Sequence, residues 1–206
     1  MPRTATAWIA VVTALFWLVP TVFGFNDAAA MALGFIPDRL NGAGVLGPAV
    51  PAFLTPLSAT LVHAGLIHIG MNLLILVWCG TQVERVVGAK AVIFLYVVSA
   101  YTAAMLQWAV TPHSQVPMIG ASGAISGIIG AFALSFGQQK QIVKSPSLNR
   151  ALNAAWLLAA WVVLQLMTGF LAGTQGVLVA TPAHVGGFLS GLLLQRPLLM
   201  WRWRKA

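Results

Sequence analysis

A serine hydroxyl becomes an effective nucleophile only when a base takes its proton and a donor stabilises the charge that develops on the attacked carbonyl. Ser122 stands between Gly120 and Gly123, in a run from Met118 to Gly130 with little side-chain bulk to block an approaching peptide carbonyl. The same run repeats small residues at helical spacing, Gly123 with Gly127 and Ser126 with Gly130, which lets membrane helices approach closely. Helix packing alone would account for this segment. Histidines elsewhere in the chain bring in the chemistry.

His68 and Asn72 are four residues apart and share a helix face, about 6 Å apart along the axis. His184 lies in Pro182-Ala183-His184-Val185-Gly186-Gly187, followed by a close-packing face of Gly186 with Ser190 and Gly187 with Gly191. An ionisable side chain in an apolar span is costly, which makes it a functional candidate. The plainer alternatives remain open. His68 and Asn72 also suit an interhelical hydrogen-bond pair, His63 a structural bond to an outer loop, and His113 simple solvation. Ser126, Thr102 and Thr168 read as packing residues. A zinc site fails on ligand count, because no expected span holds a carboxylate and His63 and His68 are not spaced as a helical zinc pair. No metal and no cofactor is expected.

The elements that must position these residues follow from composition. The chain of 206 residues is 59% hydrophobic and 7% charged, with a mean hydropathy of +0.89. A soluble domain carries roughly 25% charged residues. The expectation is a single all-α membrane domain over residues 1–206. Spanning a hydrocarbon core of about 30 Å takes about 20 apolar residues as helix. Six stretches are expected to span: Ala7–Phe25, Leu57–Gly80, Ala91–Val110, Gly120–Phe136, Ala151–Leu171 and Ala183–Leu199. The first reads as a retained span rather than a signal peptide, since no small-x-small cleavage site follows it. Asn26 to Pro56, rich in Gly, Ala and Pro, reads as a long outer loop partly embedded in the membrane. Cys79, the only cysteine, excludes an intramolecular disulfide and reads as an inert buried thiol.

Six spans put both termini on one side. With the termini in the cytoplasm, ten of the eleven basic residues face inward and only Arg39 faces out, as the positive-inside rule requires. The net charge of +8 therefore faces anionic lipid headgroups and implies no nucleic acid. Counting back from inner-side charges at 1.5 Å per residue, Ser122 lies about 27 Å from Lys140, His68 about 24 Å and Asn72 about 18 Å from Glu84, and His184 about 18 Å from Arg196. A serine, two histidines and an asparagine from three helices thus converge in the outer half of the bilayer.

At this point the chain resembles the rhomboid family of intramembrane serine proteases in its minimal six-span bacterial form. The motifs are Gly120-Ala121-Ser122-Gly123, His68-Ile69-Gly70-Met71-Asn72, Ala183-His184-Val185-Gly186-Gly187 and Glu84-Arg85-Val86-Val87-Gly88, in family order between about Thr55 and Met200. The resemblance implies Ser122 as nucleophile and His184 as general base, then general acid. It implies His68, Asn72 and the Ser122 backbone N–H as oxyanion donors. It further implies transmembrane protein substrates cut near the outer end of their helix, in a bacterial inner membrane. Two departures stand out: the long outer loop lacks the Trp-Arg pair of many members, and Ser126 stands where many carry a tyrosine that packs on the histidine.

With only three acidic residues, none expected near His184, the reading is a dyad whose histidine is held by packing and by Ser126 or a water. A silent relative that binds membrane helices is the alternative, disfavoured by the presence of both Ser122 and His184. A proton-relay transporter would need a charged or inverted-repeat core, and neither is visible.

Overall fold

Apolar chain in a bilayer must satisfy its own backbone polar groups, and a helix does so within a single segment. The computed structural model describes residues 4–44, 47–137, 141–174 and 179–204 and is all-α. Its eight α-helices among the described residues are α1 (Ala5–Phe23), α2 (Asn26–Leu33), α3 (Thr55–Ser58), α4 (Leu66–Val87), α5 (Ala89–Val110), α6 (Ser122–Phe136), α7 (Pro146–Gly173) and α8 (Thr181–Trp203). Helices α1, α4 and α5 and the Pro146–Leu171 part of α7 are long and apolar enough to cross a membrane, and α6 is a shorter apolar helix of 15 residues. The chain is an integral multi-pass membrane protein. Of the basic residues behind the charge-bias reading, Arg3, Lys140 and Lys205 lie outside the described residues.

Four of the six expected spans begin two to five residues earlier as helices, and two begin later. The second starts at Leu66, not Leu57, so His63 precedes the helix that carries His68 and does not share it. Residues 57–65 look apolar, but Ser and Thr hydroxyls around them bond backbone carbonyls and favour turns over a continuous helix. Thr55 donates to Ala52 O, Thr60 to Leu57 O and Ser58 to Leu33 O. The fourth starts at Ser122, not Gly120, because Gly120 has φ +112°, outside the helical region.

The long segment between α1 and α4 is folded onto the loop that leads to Ser122. Phe35 and Met118 exchange two backbone hydrogen bonds, of 2.9 and 2.8 Å. Asn41 bridges to the end of α5, its amide donating to Pro112 O and its oxygen accepting from Trp108 Nε1–H. Arg39 Nη2 donates to Val50 O at 2.7 Å, which pins the segment to itself.

At the other end, α1 begins against a carboxylate. Glu84 near the C-terminus of α4 accepts from the backbone N–H of Ala5 (2.8 Å) and Thr6 (2.9 Å) and from the Thr6 hydroxyl (2.6 Å). Thr4 Oγ1 accepts from Ala7 N–H. The first three N–H groups of α1, which no intrahelical carbonyl can reach, are thereby satisfied. A carboxylate at the positive end of a helix dipole is favourable as well.

Helix α6 is buried along most of its length and packs chiefly on α8, with α5 alongside both. Glycines make this contact backbone to backbone. A Cβ at Gly187 would overlap the carbonyl of Gly123, one at Gly191 the carbonyl of Gly127, and one at Gly130 would lie 2.5 Å from Phe188 O. Ser190 donates to Gly187 O, and Ser99 of α5 hydrogen-bonds Ser190 at 2.7 Å, so the small residues bring both contact and polar ties.

Two outcomes follow for purified protein in detergent, read by thermal melting. Glu84→Ala removes three hydrogen bonds at one helix start and is expected to destabilise by about 1–3 kcal/mol. Gly191→Ala drives a methyl group into backbone that has no rotamer with which to yield, and about 1–3 kcal/mol is expected there too. A wild-type melting temperature in either variant would contradict the packing described.

Candidate active site

Ser122 is the first residue of α6 and His184 lies in the first turn of α8. The α6–α8 glycine contact runs directly below them, and their side chains meet: Ser122 Oγ and His184 Nε2 are 2.8 Å apart. Both residues are half-buried. A hydroxyl at that distance from an imidazole nitrogen with a free lone pair can pass its proton to the ring as it attacks.

The loop before Ser122 is fixed by a succession of bonds. Met118 pairs with Phe35, Gly120 N–H donates to Ala59 O (2.9 Å), and Ala121 N–H donates to His63 Nε2 (3.3 Å). His63 is fully buried and its role is structural, since it holds the residue preceding the serine, not the long outer loop for which it was expected. Because α6 begins at Ser122, its first N–H groups have no carbonyl one turn earlier and point toward the helix start. Partial positive charge collects at that end, beside the serine oxygen.

His68 approaches from α4. Its Nδ1 accepts from Ala64 N–H (3.3 Å), so the ring proton of the neutral form is on Nε2. That nitrogen faces Gly120 so closely that a Cβ there would lie 2.7 Å from it and 3.8 Å from Ser122 Oγ. An N–H donor is thus aimed past Gly120 into the space beside the serine. The His63 ring stands edge-on to the His68 ring, 4.9 Å between centroids, and limits its rotation. Asn72, one turn further along α4, is buried and donates to His68 O at 2.8 Å, leaving its second amide hydrogen and its oxygen.

Of the supports expected for the His184 ring, Ser126 is not one: its hydroxyl donates to Ser122 O at 2.7 Å, the local bond a helical serine makes one turn back. What meets His184 Nδ1 is Oε1 of Gln165 in α7, at 2.7 Å. Sequence reasoning missed this residue. The signal was a lone amide in the outward half of an apolar helix, 15 residues beyond Arg150 and so about 22 Å along the axis, near the depth counted for His184.

The acidic residues are engaged elsewhere. Glu84 caps α1, Asp27 lies in the first turn of α2, and Asp38 faces His113 (3.5 Å) and Gln115 (3.4 Å). His113, expected to be solvated, is exposed but adjoins that aspartate.

A family model described as "Rhomboid domain" matches residues 52–201. Among curated proteins the chain is 27% identical over 237 residues to RHOMBOID-like protein 5 of Arabidopsis thaliana, covering 97% of this chain and 71% of that protein. It is 27% identical to Rhomboid protease GluP of Bacillus subtilis (strain 168), over 67% of this chain and 24% of that protein. Rhomboid protease GlpG of Yersinia pestis (strain Pestoides F) is 29% identical, over 66% of this chain and 45% of that protein. The chain thus spans most of the first of these relatives and less than half of the other two.

The close fit of His68 against Gly120 makes a specific prediction. Gly120→Ala would have to displace the imidazole and hold a non-glycine residue at φ +112°. Ser122 and His184 would stay in place while the donor moved. If Ser122 and His184 catalyse as the sequence reading expects, turnover falls about 10²–10³-fold, the usual effect of losing one oxyanion donor. Turnover equal to wild type in a folded variant would remove His68 from the site.

Proposed function

Because this chain belongs to the rhomboid family, we propose that it is an intramembrane serine endopeptidase that cuts transmembrane proteins near the outer end of their helix. The observation that carries the reading is the 2.8 Å contact between Ser122 Oγ and His184 Nε2, made by two helices packed backbone to backbone at Gly187 and Gly191. In this reading residues 1–206 are one rhomboid-like domain of six spans with both termini in the cytoplasm. Helices α6 and α8 complete the set, and the site opens to the outside of a bacterial inner membrane.

The length of α6 supports a sunken site. Fifteen helical residues extend about 22 Å, short of a hydrocarbon core of about 30 Å. With its C-terminal end at the inner boundary, Ser122 lies several ångströms below the outer surface, where water reaches it only through a cavity among the helices. A substrate helix must unwind there, because a helical peptide bond keeps its carbonyl turned along its own axis.

The steps follow from the atoms present. Ser122 Oγ attacks the scissile carbonyl carbon as its proton passes to His184 Nε2. The carbonyl oxygen gains a negative charge, which the Nε2–H of His68, the Ser122 N–H at the head of α6, and Asn72 stabilise. The imidazolium of His184 then protonates the leaving amine, the C–N bond breaks and an acyl-enzyme remains. Water, deprotonated by the same ring, repeats the sequence and frees Ser122. The alternative is a silent relative that binds membrane helices; the two bacterial relatives are named proteases, and the Arabidopsis one is named rhomboid-like. The serine–histidine contact favours the enzyme.

Incubation of the purified protein with a fluorophosphonate probe and a model single-span substrate decides between them. Labelling at Ser122 and cleavage are expected in the wild type, and neither in Ser122→Ala. His184→Ala is expected to lose cleavage. His68→Ala and Asn72→Ala are expected to keep some labelling while turnover falls about 10²–10³-fold. Near-normal cleavage in Ser122→Ala or His184→Ala would sink the assignment.

A further inference from the structure

His184 is held on two sides by one helix. On α7, Trp161 Nε1–H donates to the backbone oxygen of His184 (3.2 Å), and the indole stacks on Phe188 with ring centroids 4.8 Å apart and planes 9° from parallel. One turn on, Gln165 Oε1 meets His184 Nδ1 at 2.7 Å. One turn further, Gly169 lets α7 close on the start of α8, where a Cβ would lie 2.7 Å from Thr181 Oγ1. Trp161, Gln165 and Gly169 form one stripe at four-residue spacing, and α7 otherwise turns large apolar residues such as Leu164, Leu166 and Phe170 outward. Gln165 is 7% exposed. An amide buried in an apolar helix is costly unless it is paired, and its partner here is the histidine ring.

The pairing has a chemical consequence. An amide oxygen only accepts, so the nitrogen opposite it, Nδ1, must carry the ring proton in the neutral form. That leaves the lone pair on Nε2, the nitrogen 2.8 Å from Ser122 Oγ. With the proton on Nε2 instead, the ring could not accept from the serine. Gln165 therefore selects the tautomer that can act as base and sets the plane of the ring, as a carboxylate does in a charged triad.

We propose that Gln165 is the positioning residue of this site, a neutral third member that orients His184 through Nδ1 without adding a charge. The proposal rests on the serine–histidine reading above. The titratable group that α4 brings to this site is His68, whose ring lies against Gly120 beside Ser122. Helix α6 carries no charged residue, and Lys90 of α5 and Arg150 of α7 lie near the starts of their helices, far along the chain from position 165, so a charge introduced there meets a surrounding whose other titratable group is His68.

The test uses the full chain in detergent, starting with fluorophosphonate labelling of wild-type Ser122. If the wild type is not labelled, both the protease reading and this proposal fall. With labelling established, Gln165→Met keeps length and apolar packing but removes the acceptor. A loss of about 10–100-fold in kcat at unchanged KM is expected, the cost of a buried donor left unpaired. Gln165→Glu restores an acceptor and brings a negative charge to Nδ1–H. It is expected to recover kcat at alkaline pH and to hold the proton on the ring to higher pH, so that the acid limb of the kcat/KM profile moves upward. A purely structural glutamine would not move that limb. Wild-type kcat in Gln165→Met, or an acid limb in Gln165→Glu coincident with that of wild type, overturns the proposal while leaving the serine–histidine site standing.

Discussion

The site depends first on the backbone-to-backbone contact between α6 and α8. Gly187 and Gly191 of α8 and Gly130 of α6 let the two helix backbones touch, and nothing in that contact can rotate out of the way. Packed cores hold distances because they are dense, and a contact made of backbone is the limiting case. The distance between a serine on one helix and a histidine on the other is then set by the helices themselves. In lipid, where apolar surface gains little from leaving its solvent, close van der Waals contact and interhelical hydrogen bonds must supply the association. The Ser99–Ser190 bond and the Ser190 bond to Gly187 O add the polar share within the same contact.

Two further groups of contacts bring the remaining residues to that fixed pair. One is the loop before α6, held at Met118, Gly120 and Ala121 by Phe35, Ala59 and His63, which come from the long segment between α1 and α4. That segment provides no reacting group and yet determines where α6 begins, and therefore where its uncompensated N–H groups point. The other is α7, peripheral to the bundle and tied to α8 through Trp161 and Gln165. In the proposed mechanism the reacting atoms sit where a rigid contact is flanked by a braced loop on one side and a lightly packed helix on the other.

Much of this was legible in the residues because chemistry in an apolar span is rare and therefore conspicuous. Ser122, His68, Asn72 and His184 stood out against glycine and aliphatic neighbours, and counting from the inner charges brought them to a common depth. What stayed hidden needed geometry. Hydropathy carried the second span through residues 57–65, although Thr55, Pro56, Ser58, Thr60 and Gly65 already punctuate that stretch and the helix starts after them. Glu84 served as a depth marker, while its partner, the start of α1, was on the same side of the membrane by the charge bias. A carboxylate and a helix N-terminus on one side are a pairing that physical reasoning could have joined. Gln165 belongs to no spaced motif, and glutamine in a span also reads as helix glue, so depth alone could have drawn attention to it.

A neutral partner for the histidine suits the solvent this fold inhabits. A carboxylate beside His184 would have to be buried as an ion, and the penalty after relaxation is several kcal/mol even where a partner is near. An amide meets the same nitrogen with an oxygen acceptor at a far smaller desolvation cost. What the amide gives up is the charge that would steady the imidazolium when Ser122 loses its proton. In this reading that charge is balanced instead by the oxyanion forming a few ångströms away, and opposite charges attract more strongly as the surroundings become less polarisable. The imidazolium and the oxyanion therefore stabilise each other. His68 and the head of α6 then need to hold only the oxyanion in place, and the neutrality of the site before the substrate arrives is what lets it rest within a membrane.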